Sequence, residues 1–192
     1  MTMKILGILG SPCTKGNSSD ILEAVLEGAR DAGASTERLD IANLEVNPCL
    51  ECHGCEKTGV CVQENDEMGM VYSMIREVDG IVLASPVFFM GVTAQTKAMI
   101  DRCQCFWIER FVLNKRVYEG RRRPKGVFVS CAGGPKAGMF EPSLHMAKAF
   151  FSAIDYEYIG EVLLGHTDDP ELARRKNEAL GKAKELGRRM TQ

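Results

Sequence analysis

Four cysteines, Cys49, Cys52, Cys55 and Cys61, fall within thirteen residues at the spacing C-x2-C-x2-C-x5-C. Thiolates this close can converge on one small centre, because a tight turn brings nearby side chains together. Iron–sulfur clusters are held by four thiolates, often at such short spacings. A centre of that kind would move single electrons. Gly54 and Gly59 permit the turns that would wrap backbone N–H groups around inorganic sulfur. Structural zinc is an alternative, with four thiolates or with three and the imidazole of His53, although zinc ligands usually come as two separated pairs. A set of redox-active or incidental thiols is the third reading. Cys103 and Cys105, two apart on a helix, point to different sides and read as core or interface. Cys131, at the end of a buried strand, reads as inert packing, and His145 and His166 as ordinary surface or helix-end residues.

A second stretch with chemical meaning is Gly10-Ser11-Pro12-Cys13-Thr14-Lys15-Gly16-Asn17-Ser18-Ser19. It matches neither the nucleoside-triphosphate loop nor the dinucleotide fingerprint. It offers hydroxyls, a side-chain amide and free backbone N–H groups at a helix start, which together hold a phosphate dianion such as that of FMN. A capped helix with a polar entry is the plainer reading. In Ser85-Pro86-Val87-Phe88-Phe89-Met90-Gly91, Pro86 stiffens a turn, and Phe88, Phe89 and Met90 offer flat or soft apolar surface to a tricyclic ring. Gly91 allows close backbone approach. One of the two phenylalanines is expected in the core.

These stretches need a frame, and strand and helix patterns alternate along the chain. Strands are expected at Met3–Leu9, Thr36–Ile41, Gly80–Ala84, Gly126–Cys131 and Tyr158–Leu164. The helix after the first strand has apolar positions Ile21, Leu22, Val25, Leu26 and Ala29, a cap at Ser18 or Ser19, and Gly33 at its end. Further helices are expected over Glu67–Glu77, Thr93 to about Val112 and Met139–Ala153. A final helix after the fifth strand is capped by Asp168 or Asp169, has Pro170 in its first turn, and carries the stripe Leu172, Ala179, Ala183, Leu186 and Met190. Residues 42–66 fit neither period and form a cysteine-rich insertion after β2. Five β–α units without repeats predict a single α/β domain over 1–192, a doubly wound five-stranded parallel sheet of flavodoxin-like order 2-1-3-4-5. Ligands then bind beyond the carboxyl ends of the strands, where the loops Gly10–Ser19, Ser85–Gly91 and Ala132–Pro135 meet.

Composition narrows the class. The chain has 192 residues, 45% of them apolar, enough for one full core. A net charge of −2 argues against general nucleic-acid binding. Eight cysteines in a chain with a core and no convincing signal peptide point to a reducing cytoplasm rather than a disulfide framework. The longest apolar stretch, Ile81–Val92, is interrupted and cannot span a bilayer. Lys115, Arg116, Arg121, Arg122, Arg123 and Lys125 form a basic cluster, read as a solvated loop or a dock for an acidic ferredoxin or a nucleotide phosphate.

Together GSP…GNSS, SPVFFMG and Lys97-Ala98-Met99-Ile100-Asp101-Arg102 resemble the NADPH-dependent FMN reductase and iron–sulfur flavoprotein group over most of the chain. The cysteine loop resembles the compact motif of the iron–sulfur flavoproteins. The resemblance implies that Ser11, Pro12, Asn17, Ser18 and Ser19 hold the FMN phosphate, that Pro86, Val87, Phe88, Phe89, Met90 and Gly91 line the isoalloxazine, and that Ala132, Gly133 and Gly134 approach its other edge. Cys13 stands where many relatives carry a basic residue, leaving Lys15 as the cation of the loop.

It further implies an FMN-dependent oxidoreductase passing electrons between a carrier such as ferredoxin, a [4Fe–4S] cluster on Cys49, Cys52, Cys55 and Cys61, and FMN. The acceptor would be O2, peroxide or a quinone-like molecule. No side chain need serve as acid or base, since the flavin carries the chemistry. A cluster-free NAD(P)H-dependent FMN or quinone reductase is the alternative. A flavodoxin-type carrier and a zinc-stabilised interaction domain fit less well. Relatives form dimers or dimers of dimers, to which Phe106, Trp107 and Phe111 could supply an apolar interface, or they could be core.

Overall fold

Alternating side chains of a buried parallel strand face opposite layers, and each layer must be covered by helices. β1 (Lys4–Leu9) shows this directly: Ile5 and Leu9 join one apolar cluster, Leu6 and Ile8 the other. The computed structural model describes residues 2–115, 118, 122–134, 138–169 and 172–192. Besides β1 it contains β2 (Ser35–Asp40), β3 (Gly80–Ala84), β4 (Lys125–Cys131) and β5 (Glu157–Leu164). All pair in parallel in the order 2-1-3-4-5. Ile8, for instance, stands between Leu39 and Leu83.

Helices α1 (Asn17–Asp31) and α6 (Leu172–Met190) cover one face, with Leu22, Val25, Leu26, Ala183 and Leu186 packed on Ile5, Val82 and Val127. The other face is covered by α2 (Met68–Glu77), α3 (Ala94–Arg102), α4 (Gln104–Trp107) and α5 (Glu141–Ala153), through Val71, Met99, Phe106 and Phe150. The expected stripe of α6 is buried at Ala179, Ala183, Leu186 and Met190. Pro170, Pro135, Arg116 and Arg121 lie outside the described residues.

Three local expectations are corrected. Neither Ser18 nor Ser19 caps α1. The N-cap is Gly16, with extended backbone and no side-chain cap bond, and both serines lie buried inside the first turn. β2 ends at Asp40, because Ile41 turns into a short 3-10 segment (Ile41–Asn43) and buries its side chain under the sheet. The helix expected from Thr93 to Val112 is broken. α3 stops at Arg102, α4 occupies one turn, and Ile108–Val112 is a π-helical turn. Apolar spacing continues through these breaks, so periodicity cannot register them. Their effect is to turn Arg102 and Cys105 toward the cysteine loop.

Candidate functional site

Two cavities open on the residues with chemical potential. The first is a cup of about 280 Å3 at the carboxyl ends of β1, β3 and β4. Ser11, Pro12, Asn17 and Ser18 of the first loop line it, facing Pro86, Val87 and Phe88 of the second and Ala132 and Gly133 of the third. The first-turn N–H groups of an α-helix have no partner within the helix. With Gly16 as an N-cap lacking a side chain, those of α1 open on the cup. Ser19, Phe89, Met90, Gly91 and Gly134 fall outside the lining, while Cys13, Gly16, Cys131 and Thr167 join it. Cys131 therefore edges the cup, although burial pushes its thiol up to about 11.

A buried hydroxyl knot sets the first two loops against each other. Thr93 donates its Oγ1–H to the Gly10 carbonyl at 2.5 Å and lies 2.8 Å from Thr96 Oγ1. Its N–H donates to Ser85 Oγ at 3.1 Å. Ser130 Oγ donates to the Ser85 carbonyl at 2.8 Å, tying in β4. Gly10 is required here, since a Cβ would collide with Thr96 Oγ1. Thr93→Val removes the shorter of two donors to the Gly10 carbonyl, leaving Thr96 Oγ1 at 3.5 Å, together with the acceptor that caps α3 at the Thr96 N–H; the expected loss is about 1–3 kcal/mol in urea unfolding, with Thr93→Ser restoring most of it.

Lys15 is not alone beside the loop Gly10–Ser19. Arg38, from β2, donates Nη1–H to Ser19 Oγ at 2.9 Å and Nη2–H to the Thr14 carbonyl at 3.1 Å. Asp40 orients it at 2.6 Å. Sequence reading missed it because Arg38 is separated from the loop along the chain and follows no motif; only the parallel pairing of β2 with β1 brings it near.

Phe88 and Phe89 are both exposed, Phe89 completely, so neither belongs to the core as expected. The cause is a tight hairpin. Phe88 and Gly91 exchange backbone hydrogen bonds of 2.9 and 3.0 Å, leaving Phe89 and Met90 at its tip with φ of 48° and 68°.

The second cavity, of about 470 Å3, is lined by all four cysteines of the loop together with His53, Arg102 and Cys105. Among the described residues no three of these groups converge tightly enough to chelate a metal ion. All eight cysteines are free thiols. Glu51, His53 and Gly59 have positive φ (51°, 59° and 76°), so the loop backbone is wound around this space. Burial alone would raise the Cys61 thiol, but the Gln63 N–H, the Tyr72 hydroxyl and the Arg102 guanidinium together pull it below its ordinary value. Cys55 is shifted upward, chiefly by burial. His53 Nδ1 lies 2.7 Å from Glu56 Oε1. Cys103 and Cys105 are buried as anticipated, and Cys105 also contributes a wall of this cavity.

Arg102 anchors the loop. Its side chain and that of Asp66 are 0% and 1% exposed, and the two are paired. Arg102 also donates to the carbonyls of Asn47 at 3.0 Å and Gln63 at 3.2 Å. Asp66 accepts from the N–H of Asn47 at 3.0 Å and of Met68 at 3.2 Å. Arg102 Nε is buried with no hydrogen-bond partner. Four thiols around one space, beside a buried donor lacking an acceptor, fit an anionic sulfur-rich group. The cup, with open helix N–H groups, fits the phosphate end of a flavin mononucleotide.

The basic cluster is partly used up by the fold. Arg123 donates to the carbonyls of Asp155 and Tyr156, at 3.1 Å each, and buried Lys125 donates to that of Arg189 at 2.8 Å. Among the described members, Lys115, Arg122 and Arg123 are exposed. No helix of the described residues is long and apolar enough to cross a membrane.

The doubly wound sheet of this strand order, with loops gathered at its switch point, places the molecule in the flavodoxin-like class. Residues 3–168 match the model of the NADPH-dependent FMN reductases, and the chain belongs to that family. Similar relatives carry the name iron–sulfur flavoprotein. One from Archaeoglobus fulgidus is 42% identical over 100 residues, covering 52% of this chain and 45% of the relative. Another from the same organism is 31% identical over 147 residues, covering 77% and 70%. One from Methanosarcina thermophila is 39% identical over 115 residues, covering 60% of each chain. The first of these matches thus spans about half of its relative. Among solved structures, an NAD(P)H:quinone oxidoreductase from Methanothermobacter marburgensis superposes with a TM-score of 0.69 at 19% identity, covering 100% of this chain and 98% of the other. An FMN-dependent NADH-azoreductase from Bacillus anthracis gives 0.72 at 14% identity, covering 98% and 100%. At such identities the likeness is one of fold.

Proposed function

We propose that the chain is an FMN-dependent oxidoreductase whose cup holds FMN and whose cysteine loop holds a [4Fe–4S] cluster, passing electrons between a one-electron carrier such as ferredoxin and a two-electron acceptor. The observation that carries the reading is the meeting of Cys49, Cys52, Cys55 and Cys61 on one cavity beside the unpartnered Nε–H of buried Arg102, in a chain of a flavin-reductase family. When bound, FMN supplies two-electron chemistry and an iron–sulfur cluster single-electron exchange.

The chain's own groups do the rest. Backbone N–H groups of α1 and the hydroxyls of Ser11 and Ser18 bind the phosphate, with Arg38 and Lys15 offsetting its charge. The hydroxyl knot holds the ring-bearing hairpin at a set distance from that grip. Phe88 and Phe89 present apolar surface at the open side, where a second reactant can approach. Exposed Trp107, Phe111 and Val112 supply an apolar face for homo-oligomer formation.

Anaerobic purification with metal and flavin analysis tests the assignment. The expected result is one FMN and four irons per chain, with broad visible absorbance beyond the flavin bands. Stoichiometric zinc without iron removes the cluster, and an absence of flavin binding removes the oxidoreductase.

The family description, NADPH-dependent FMN reductase, favours a second reading in which a nicotinamide nucleotide reduces the flavin directly. Stopped-flow mixing separates the two: rapid bleaching by NADPH selects direct reduction, and bleaching by reduced ferredoxin alone selects the relay.

A further inference from the structure

An arginine with no solvent exposure is costly unless its donors are satisfied. Four of the five N–H donors of Arg102 are accounted for. The Nη groups bond to the Asn47 and Gln63 carbonyls and to both oxygens of Asp66. These partners flank the cysteine segment, so the guanidinium closes the loop like a clasp over α3. Asp66 is itself fixed by two backbone N–H groups, which leaves the fork little freedom to turn. Nε is buried and takes no acceptor from the protein, although the side chain forms part of the wall shared with Cys61. Cys61, Cys49, Cys52 and Cys55 line the same cavity as Arg102. A donor fixed by four bonds and left without a fifth is preorganised for a ligand that the protein chain does not supply.

We propose that Arg102 is the positioning residue that sets how tightly, and at what reduction potential, the cysteine loop holds its cluster, by directing Nε–H to a sulfur of that cluster. This rests on the cluster reading above. The physical basis is general. Hydrogen bonds to cluster sulfurs and nearby positive charge favour the reduced, more negative state and so raise the potential. Groups that orient metal ligands typically contribute about 10–100-fold to metal retention. Lysine at this position could keep the charge and the pairing with Asp66, but it cannot donate from a fixed Nε while also bridging the two carbonyls.

The test uses the full chain, reconstituted anaerobically with iron and sulfide and loaded with FMN. In Arg102→Lys, iron is expected to pass to a ferrous chelator about 10–100-fold faster than in wild type, and the cluster potential to move to more negative values. FMN affinity, read at the remote cup, should stay within about twofold, which reports that the domain is folded. Unchanged iron release and unchanged potential in a folded Arg102→Lys variant would overturn the proposal, because a purely structural clasp shifts the unfolding midpoint and leaves the potential alone. A measurement on wild type removes dependence on variant folding: with 15N-arginine labelling, the reduced cluster should show a hyperfine coupling to one guanidinium nitrogen in pulsed electron paramagnetic resonance. Absence of that coupling also overturns it. Wild-type protein that binds FMN but takes up no iron defeats the cluster reading itself, a distinct result.

Discussion

Asp66→Asn is expected to lower the unfolding free energy by about 3–5 kcal/mol, because it leaves the Arg102 guanidinium buried and unpaired. Few single changes in this chain should cost more. The carboxylate accepts from Arg102 and from the N–H groups of Asn47 and Met68, so it joins α3, the cysteine loop and the start of α2. Restoring neutrality by adding Arg102→Leu should recover only part of the loss, since the Asn47 and Gln63 carbonyls would then lack their donor. Urea melts of the single and double variants read both numbers.

The same carboxylate predicts an acid limb. Burial by itself would raise its pKa, but the Arg102 guanidinium and the two N–H groups outweigh this and hold it below the ordinary 3.8. A group whose folded pKa is depressed contributes stability that is complete above its unfolded value and is lost as pH falls through the folded one. Wild type should therefore lose stability below about pH 4 through this site, and Asp66→Asn should show a flatter profile there. A parallel acid limb in both proteins would refute that role.

Much of the frame is legible without coordinates, and the illegible remainder has a common cause. Runs such as Gly80–Ala84 are apolar throughout because both faces are covered, and they name themselves as central parallel strands. Strand order then places the loops Gly10–Ser19, Ser85–Gly91 and Ala132–Gly134 on one rim. The cysteine spacing announces a shared cavity for the same reason: close neighbours along the chain stay close in space. Arg102, in contrast, reads as one more polar residue of a helix, since its burial depends on Asp66, 36 residues away. Arg38 is hidden in the same way, its relation to Ser19 spanning 19 residues. The break after Arg102 escapes notice because apolar spacing runs on through Phe106 into the π turn, where the backbone changes and the side-chain pattern does not.

The hairpin tip is the clearest case of local preference set aside, and it yields the second large effect. A two-residue connection with both central φ values positive is the signature of a type I′ turn, for which Asn-Gly is the favoured pair. Here Phe89 and Met90 occupy those positions at φ 48° and 68°. Each pays about 1–2 kcal/mol for a left-handed backbone with a β-carbon. Phe89 recovers none of it by packing, since its side chain is fully exposed. Replacing the pair by Phe89→Asn and Met90→Gly should therefore raise stability by about 1–3 kcal/mol in urea melts, because strain is relieved at both positions and Phe89 gives up no packing. On the proposed function, the same double change should weaken FMN retention, measured by fluorescence on dilution, since it removes the aromatic and thioether surface next to Phe88, just beyond the lining of the cup. Phe89 is fully exposed at this strained position, so its packing does not offset the strain. A double variant that is stabilised yet binds FMN as wild type does would show that the two side chains serve some purpose other than holding the flavin.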